Sequence, residues 1–117
     1  AKVAFFGLTF KENCPDIRNS QVLKIINDLR NFGCDIIATD EYAKDNEVKK
    51  VFNLSLKSLK EIKNVDIIIL SVGHDQYKSM KLEEWKKIIK PNGIFVDIKS
   101  IFSADFFSKT KVNYWSL

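Results

Sequence analysis

Four short apolar runs, each continuous instead of alternating, restrict what this chain can fold into. They are Val3-Ala4-Phe5-Phe6, Ile36-Ile37-Ala38, Ile67-Ile68-Ile69-Leu70 with Val65 and Val72 flanking it, and Ile94-Phe95-Val96 with Ile98. A strand wetted on one face alternates apolar and polar residues. A continuous run suits a strand covered on both faces, as in a parallel sheet between two layers of helix.

The intervening segments supply those helices. Val22, Ile25, Ile26, Leu29 and Phe32 fall at i, i+3, i+4, i+7 and i+10, one stripe of a helix that Asn19 or Ser20 can cap and Gly33 can end. Residues 43–51 and 56–63 read as shorter helices, the second with Leu56, Leu59 and Ile62 as its inner stripe. Residues 81–90 carry Leu82, Trp85, Ile88 and Ile89 and stop at Pro91-Asn92-Gly93. Tyr114-Trp115 reads as a final edge strand. This alternation predicts a single α/β domain: a doubly wound, mostly parallel, Rossmann-like sheet with helices on both faces.

Composition narrows the function classes. The 117 residues, 45% hydrophobic and 29% charged, suit one folded domain with a real core and exclude disorder. No apolar run approaches the ~20 residues that cross a bilayer. The N-terminus lacks the features of a secretory signal, so a cytoplasmic location is expected, with no membrane partner. The net charge of +4 comes from 17 Lys and 2 Arg spread along the chain, a mildly basic surface without the clustering of a nucleic-acid binder. Cys14 and Cys34 are too few for a disulfide scaffold and lack metal-site spacing. The chain opens on Ala1 and enters a strand by Val3, so it is expected to be a piece of something longer.

In doubly wound sheets ligands sit outside the carboxyl ends of the strands, near the point where strand order reverses. That rule selects segments 7–20, 39–43, 71–77 and 97–103. The first, Gly7-Leu8-Thr9-Phe10-Lys11-Glu12-Asn13-Cys14-Pro15-Asp16-Ile17-Arg18-Asn19-Ser20, is long for a connection where ~2–6 residues are usual. It has one glycine where a dinucleotide fingerprint needs three, and it lacks the P-loop spacing. Lys11 is a mobile ammonium suited to a phosphate or sugar oxygen, or else a solvated loop lysine. Arg18 is a planar fork before a helix start, either for a ligand or for a salt bridge to Asp16 or Asp40.

The remaining candidates divide between chemistry and structure. Asp40, after the second strand, can be a ribose acid or a turn and helix-capping residue; the missing glycines favour the latter. His74, the only histidine, can act near neutral pH or serve as a hydrogen-bonding structural residue. Asp75 is expected to cap the short helix that follows. Cys14, with no general base near it in sequence, is not expected to be a nucleophile, and Cys34 reads as a small buried hydrophobe. Trp85, Trp115 and Tyr114 read as core or domain-interface aromatics.

The segment from Gly7 to Ser20 resembles the opening of the C-terminal, UDP-binding domain of the UDP-glucose/GDP-mannose dehydrogenase family. Its wording is closest to the branch that oxidises UDP-N-acetylhexosamines. The resemblance continues through Thr39-Asp40, Val65-Asp66, Ser71-Val72-Gly73-His74-Asp75-Gln76-Tyr77 and Asp97-Ile98-Lys99-Ser100-Ile101-Phe102, covering nearly the whole chain. It departs at Ser100, where a glycine is usual, and at Glu41-Tyr42, where the family has a proline after the aspartate.

The resemblance implies an NAD-dependent enzyme that oxidises the sugar C6 alcohol to a carboxylate in two hydride transfers, for surface polysaccharide synthesis. It implies an N-terminal NAD-binding domain, a central dimerisation region and residues 1–117 as the UDP-binding C-terminal domain. Phe10 and Lys11 match positions that contact the nucleotide sugar, and Arg18 one that reaches towards NAD held by the other domain. Lys99 stands where the UDP-glucose branch has a substrate-facing arginine. The family's catalytic cysteine belongs to a motif absent here, so the chain alone is expected to have no turnover, with a UDP-sugar, the other domains and a homo-oligomeric assembly as partners. Two alternatives remain: an α/β assembly module, and a receiver-like signalling module suggested by Lys99. The receiver lacks its acidic residues, since Gly7-Leu8 and Gly73-His74 occupy those places.

Overall fold

The computed structural model describes residues 1–117, the side chain of Ser20 excepted. Five strands, β1 (Lys2–Phe6), β2 (Asp35–Thr39), β3 (Val65–Leu70), β4 (Ile89–Asp97) and β5 (Asn113–Ser116), form one sheet in the order β2-β1-β3-β4-β5. Every neighbouring pair is parallel. The α/β doubly wound expectation therefore holds, and the order reverses between β1 and β3.

Successive residues of a strand point to opposite faces, and β1 shows why its run is continuous. Ala4 and Phe6 join Ile68, Leu70 and Phe95 under Tyr77, Trp85 and Phe107 on one face. Val3 and Phe5 join Ile36, Ala38 and Ile69 under Val22, Ile26, Val48 and Phe52 on the other. The helices supplying these cover residues are α1 (Ser20–Asn31), α2 (Asp45–Phe52), α3 (Asp75–Lys78), α4 (Leu82–Ile88) and α5 (Ala104–Phe107). Asn19 caps α1, its side chain accepting the Val22 N–H at 3.2 Å, and Gly33 leaves the helix at φ 83°.

Three local expectations are corrected. Residues 56–63 are not an α-helix: only Leu59–Glu61 turn, as a 3-10 segment, and Leu56 instead bridges to Ala38. The open edge of β2 supplies that partner, with the Lys57 N–H donating to the Ala38 carbonyl at 2.8 Å. Pro91-Asn92-Gly93 does not end the element before a new strand begins. It is an excursion inside β4, accommodated by a register shift between Val65 and Ile67 with Asn92 at φ 67°. Asp75 does not cap α3, because His74 holds the cap position without a side-chain cap bond. The helix α5 carried no periodicity long enough to detect. The Tyr114-Trp115 edge strand is present as β5.

Candidate functional site

The carboxyl ends of β1 and β3 meet at Gly7. Its φ of 99° lies in the left-handed region, and a Cβ there would stand 2.6 Å from Val72 Cβ. Ser71 Oγ donates to the Gly7 carbonyl at 2.6 Å and closes the junction. From this junction the long connection 8–19 leaves the sheet.

A buried carboxylate at the end of β2 organises that connection. Asp40 Oδ2 accepts the backbone N–H groups of Leu8 at 2.7 Å and Thr9 at 3.1 Å, while Oδ1 accepts those of Tyr42 at 2.9 Å and Ala43 at 3.3 Å. His74 Nε2 lies 3.0 Å from Oδ2, both side chains wholly buried. Burial pushes the Asp40 carboxyl up, but the hydrogen bonds from His74, Leu8 and Tyr42 outweigh it and hold the group below its ordinary range. Asp40 and His74 thus take the structural alternatives. Their partnership went unnoticed in sequence because 34 residues separate them.

The same bonds bear on the cofactor. A dinucleotide's pyrophosphate is held by backbone N–H groups after the first strand, and here those of Leu8 and Thr9 are already taken by Asp40. With one glycine in the turn besides, the residues present do not form an NAD site of the dinucleotide-fold kind.

A second buried carboxylate shapes the loop after β4. Asp97 accepts the N–H groups of Ile101 at 3.0 Å and Phe102 at 2.8 Å, arching the chain over Lys99 and Ser100. Ser100 takes φ 54°, which explains why a glycine would suit that position, and its hydroxyl donates to the Leu117 carbonyl at 2.7 Å.

Between the two loops lies a cleft of about 360 Å³ bordered by Phe10, Arg18, Asn19, Ser71, Ile98 and Lys99, with α1 as its wall. Three of the four residues singled out in sequence, Phe10, Arg18 and Lys99, therefore border one cleft. Lys11 is exposed on the same loop and does not line it. Phe10 is 60% exposed. Arg18 grips Asp16 with Nε and Nη2, at 2.9 and 2.6 Å, and this pairing holds the Asp16 carboxyl at about 2. Asn19, Ser71 and Ile98 were missed as cleft residues; their places after β1, β3 and β4 were the available signal.

The other candidates settle elsewhere. Cys14 is half-buried in the connection, and Cys34 is half-buried beside the α1 core, more open than expected. Trp85 is wholly buried in the core, whereas Trp115 is 65% exposed on β5. No group of three His, Cys, Asp or Glu capable of holding a metal occurs among the described residues. No helix among them is long and apolar enough to cross a membrane.

Known proteins resemble this chain in sequence and in fold. The chain is 43% identical over 105 residues to Protein CapL of Staphylococcus aureus, covering 90% of this chain and 24% of that protein. It is 31% identical to the UDP-N-acetyl-D-glucosamine 6-dehydrogenase of Salmonella typhi, covering 90% of this chain and 25% of that protein. The crystal structure of an NDP-N-acetyl-D-galactosaminuronic acid dehydrogenase from Methanosarcina mazei Go1 superposes with a TM-score of 0.86 at 24% identity, over 99% of this chain and 24% of that one; it supports the fold. The chain thus spans about a quarter of the length of the relatives it matches. Residues 4–104 match the UDP binding domain of the UDP-glucose/GDP-mannose dehydrogenase family, and the chain belongs to that family.

Proposed function

We propose that this chain holds the UDP part of a UDP-N-acetylhexosamine for an NAD-dependent 6-dehydrogenase that makes a uronic acid for surface polysaccharide. The observation carrying this reading is the cleft between the β1 and β4 loops, where Phe10, Arg18 and Lys99 converge at the topological switch. Lys99 and Lys11 offset diphosphate charge, Phe10 offers an aromatic face, and Arg18 reaches towards NAD bound chiefly by another domain. Hydride transfer and the nucleophilic cysteine belong to the remainder of the enzyme. The exposed Trp115 and Leu117 suit contact with those other domains or with a second copy in a homo-oligomer. The acetylated-sugar assignment draws on the relatives whose names specify N-acetylated sugars.

Calorimetric titration of the 117-residue chain with UDP and with UDP-N-acetylglucosamine tests the reading. Lys99→Ala and Lys11→Ala are each expected to weaken binding about three- to tenfold, and high salt to weaken the wild type. Binding untouched by both substitutions removes the site assignment.

A further inference from the structure

A buried histidine must satisfy two ring nitrogens, and His74 satisfies both on one loop. Nδ1 accepts the Asn13 backbone N–H at 2.8 Å. The neutral ring's proton therefore sits on Nε2, which faces Asp40 Oδ2 at 3.0 Å and Thr9 Oγ1 at 3.2 Å. Thr9 Oγ1 is free to accept there because its own proton goes to the Lys11 carbonyl at 3.1 Å. Asn13, at φ 55°, turns back so that its Oδ1 accepts the Asp75 N–H at 3.0 Å.

One imidazole thus grips Thr9 and Asn13, the two residues that bracket Phe10, Lys11 and Glu12. The bracketed segment has few other ties: all three residues are exposed, the Phe10 N–H donates to the Asp16 carbonyl, and the Lys11 carbonyl accepts the Thr9 hydroxyl. The ring itself is wholly buried, with the ring centroids of Tyr42 and Tyr77 at 4.7 and 5.5 Å and the Asp40 carboxylate beside it.

We infer that His74 is a positioning residue that closes residues 9–13 into a fixed arch and so presents Phe10 and Lys11 before the nucleotide arrives. It does not touch the ligand. Preorganising a loop removes the ordering cost from the binding step, so loss of the arch appears as lost affinity. The inference rests on the reading of Phe10 and Lys11 as nucleotide-sugar contacts.

The two halves of the ring can be removed separately. In His74→Asn, Oδ1 stands near the place of Nδ1 and keeps the acceptor for Asn13, while Asp40 loses its partner. In His74→Gln, the amide nitrogen stands near the place of Nε2 and keeps the donor to Asp40, while Asn13 loses its acceptor.

UDP is titrated into the 117-residue wild type and both variants, and each is melted. His74→Gln is expected to lose about five- to tenfold in affinity, and His74→Asn to recover most of that. Stability is expected to run the other way, His74→Asn melting below His74→Gln, because it leaves the buried Asp40 short of a donor. A His74→Gln affinity equal to wild type, or affinities that merely follow the melting temperatures, overturns the inference.

Amide exchange of Asn13 decides the matter even if the wild type fails to bind UDP, a result that would instead sink the proposed function. Protection in wild type and His74→Asn but not in His74→Gln is expected; equal protection in all three overturns the arch. Should neither variant fold, ring nitrogen signals of the wild type must still show the Nε2–H tautomer, and the Nδ1–H tautomer overturns it.

Discussion

The Tyr114 hydroxyl stands 2.7 Å from Asp97 Oδ2 and 2.8 Å from the Phe102 carbonyl, tying the edge strand β5 to the carboxylate that arches the Lys99 loop. Burial, then the hydrogen bond to Asp97 and its charge, push the phenol up from 10.0 to about 12. A phenol that holds its proton more tightly when folded stabilises the fold below pH 10. That contribution is lost as pH rises through 10 towards about 12. Tyr114→Phe is expected to remove the late step from a spectrophotometric tyrosine titration and to cost about 1 kcal/mol at neutral pH. A titration that keeps that step in the variant assigns it to another tyrosine.

Gly7 combines a positive φ with a close backbone approach at the strand-order reversal. In Gly7→Ala the new Cβ meets Val72 Cβ at 2.6 Å and its backbone nitrogen at 2.9 Å, so β1 and β3 must part or Gly7 must change conformation. Urea unfolding is expected to show a loss of about 2–4 kcal/mol, strain and overpacking together. Because Ser71 bonds the Gly7 carbonyl and borders the cleft, UDP affinity is expected to fall with stability.

Asp40 gathers four backbone N–H groups and the His74 ring around one buried carboxylate. Asp40→Ala strands those donors and is expected to cost about 3–5 kcal/mol, read by chemical denaturation. The carboxyl is held below its ordinary range, so its contribution is full above the unfolded carboxylate range and is lost as pH falls through the lower folded value. Acid unfolding of the wild type is expected to be steeper than that of an Asp40→Asn variant; parallel curves would assign the acid sensitivity to other carboxylates.

The strands were legible because burial on both faces leaves an unbroken apolar run, as in Ile67-Ile68-Ile69-Leu70. The 56–63 segment misled because Leu56, Leu59 and Ile62 are spaced like a helix stripe, while the open β2 edge offers Leu56 a backbone partner that no local pattern announces. Phe10, Arg18 and Lys99 could be named from strand-end position and the family wording. Asp40 and His74 could be weighed one at a time only. Strand order brings the ends of β2 and β3 to either side of the β1 loop, and that order is not written in any contiguous stretch.

Arg18 reaches the cleft with a partner already attached. Asp16 accepts from its Nε at 2.9 Å and its Nη2 at 2.6 Å, and also from its backbone N–H at 3.0 Å. The side-chain hydrogen bonds, then the backbone one, hold the Asp16 carboxyl at about 2, while pairing raises Arg18 further. A carboxyl depressed this way supports the local geometry above its unfolded value of 3.8 and ceases to as pH falls towards about 2. The pair is open to water, so its effect is expected in the titration and not in global stability. Carboxyl NMR should follow Asp16 to about 2 in wild type and back towards 3.8 in Arg18→Ala. Added salt should move the wild-type value the same way by screening the guanidinium. An Asp16 that titrates normally in wild type would mean that Arg18 is not held over it, and that the guanidinium enters the cleft unpaired.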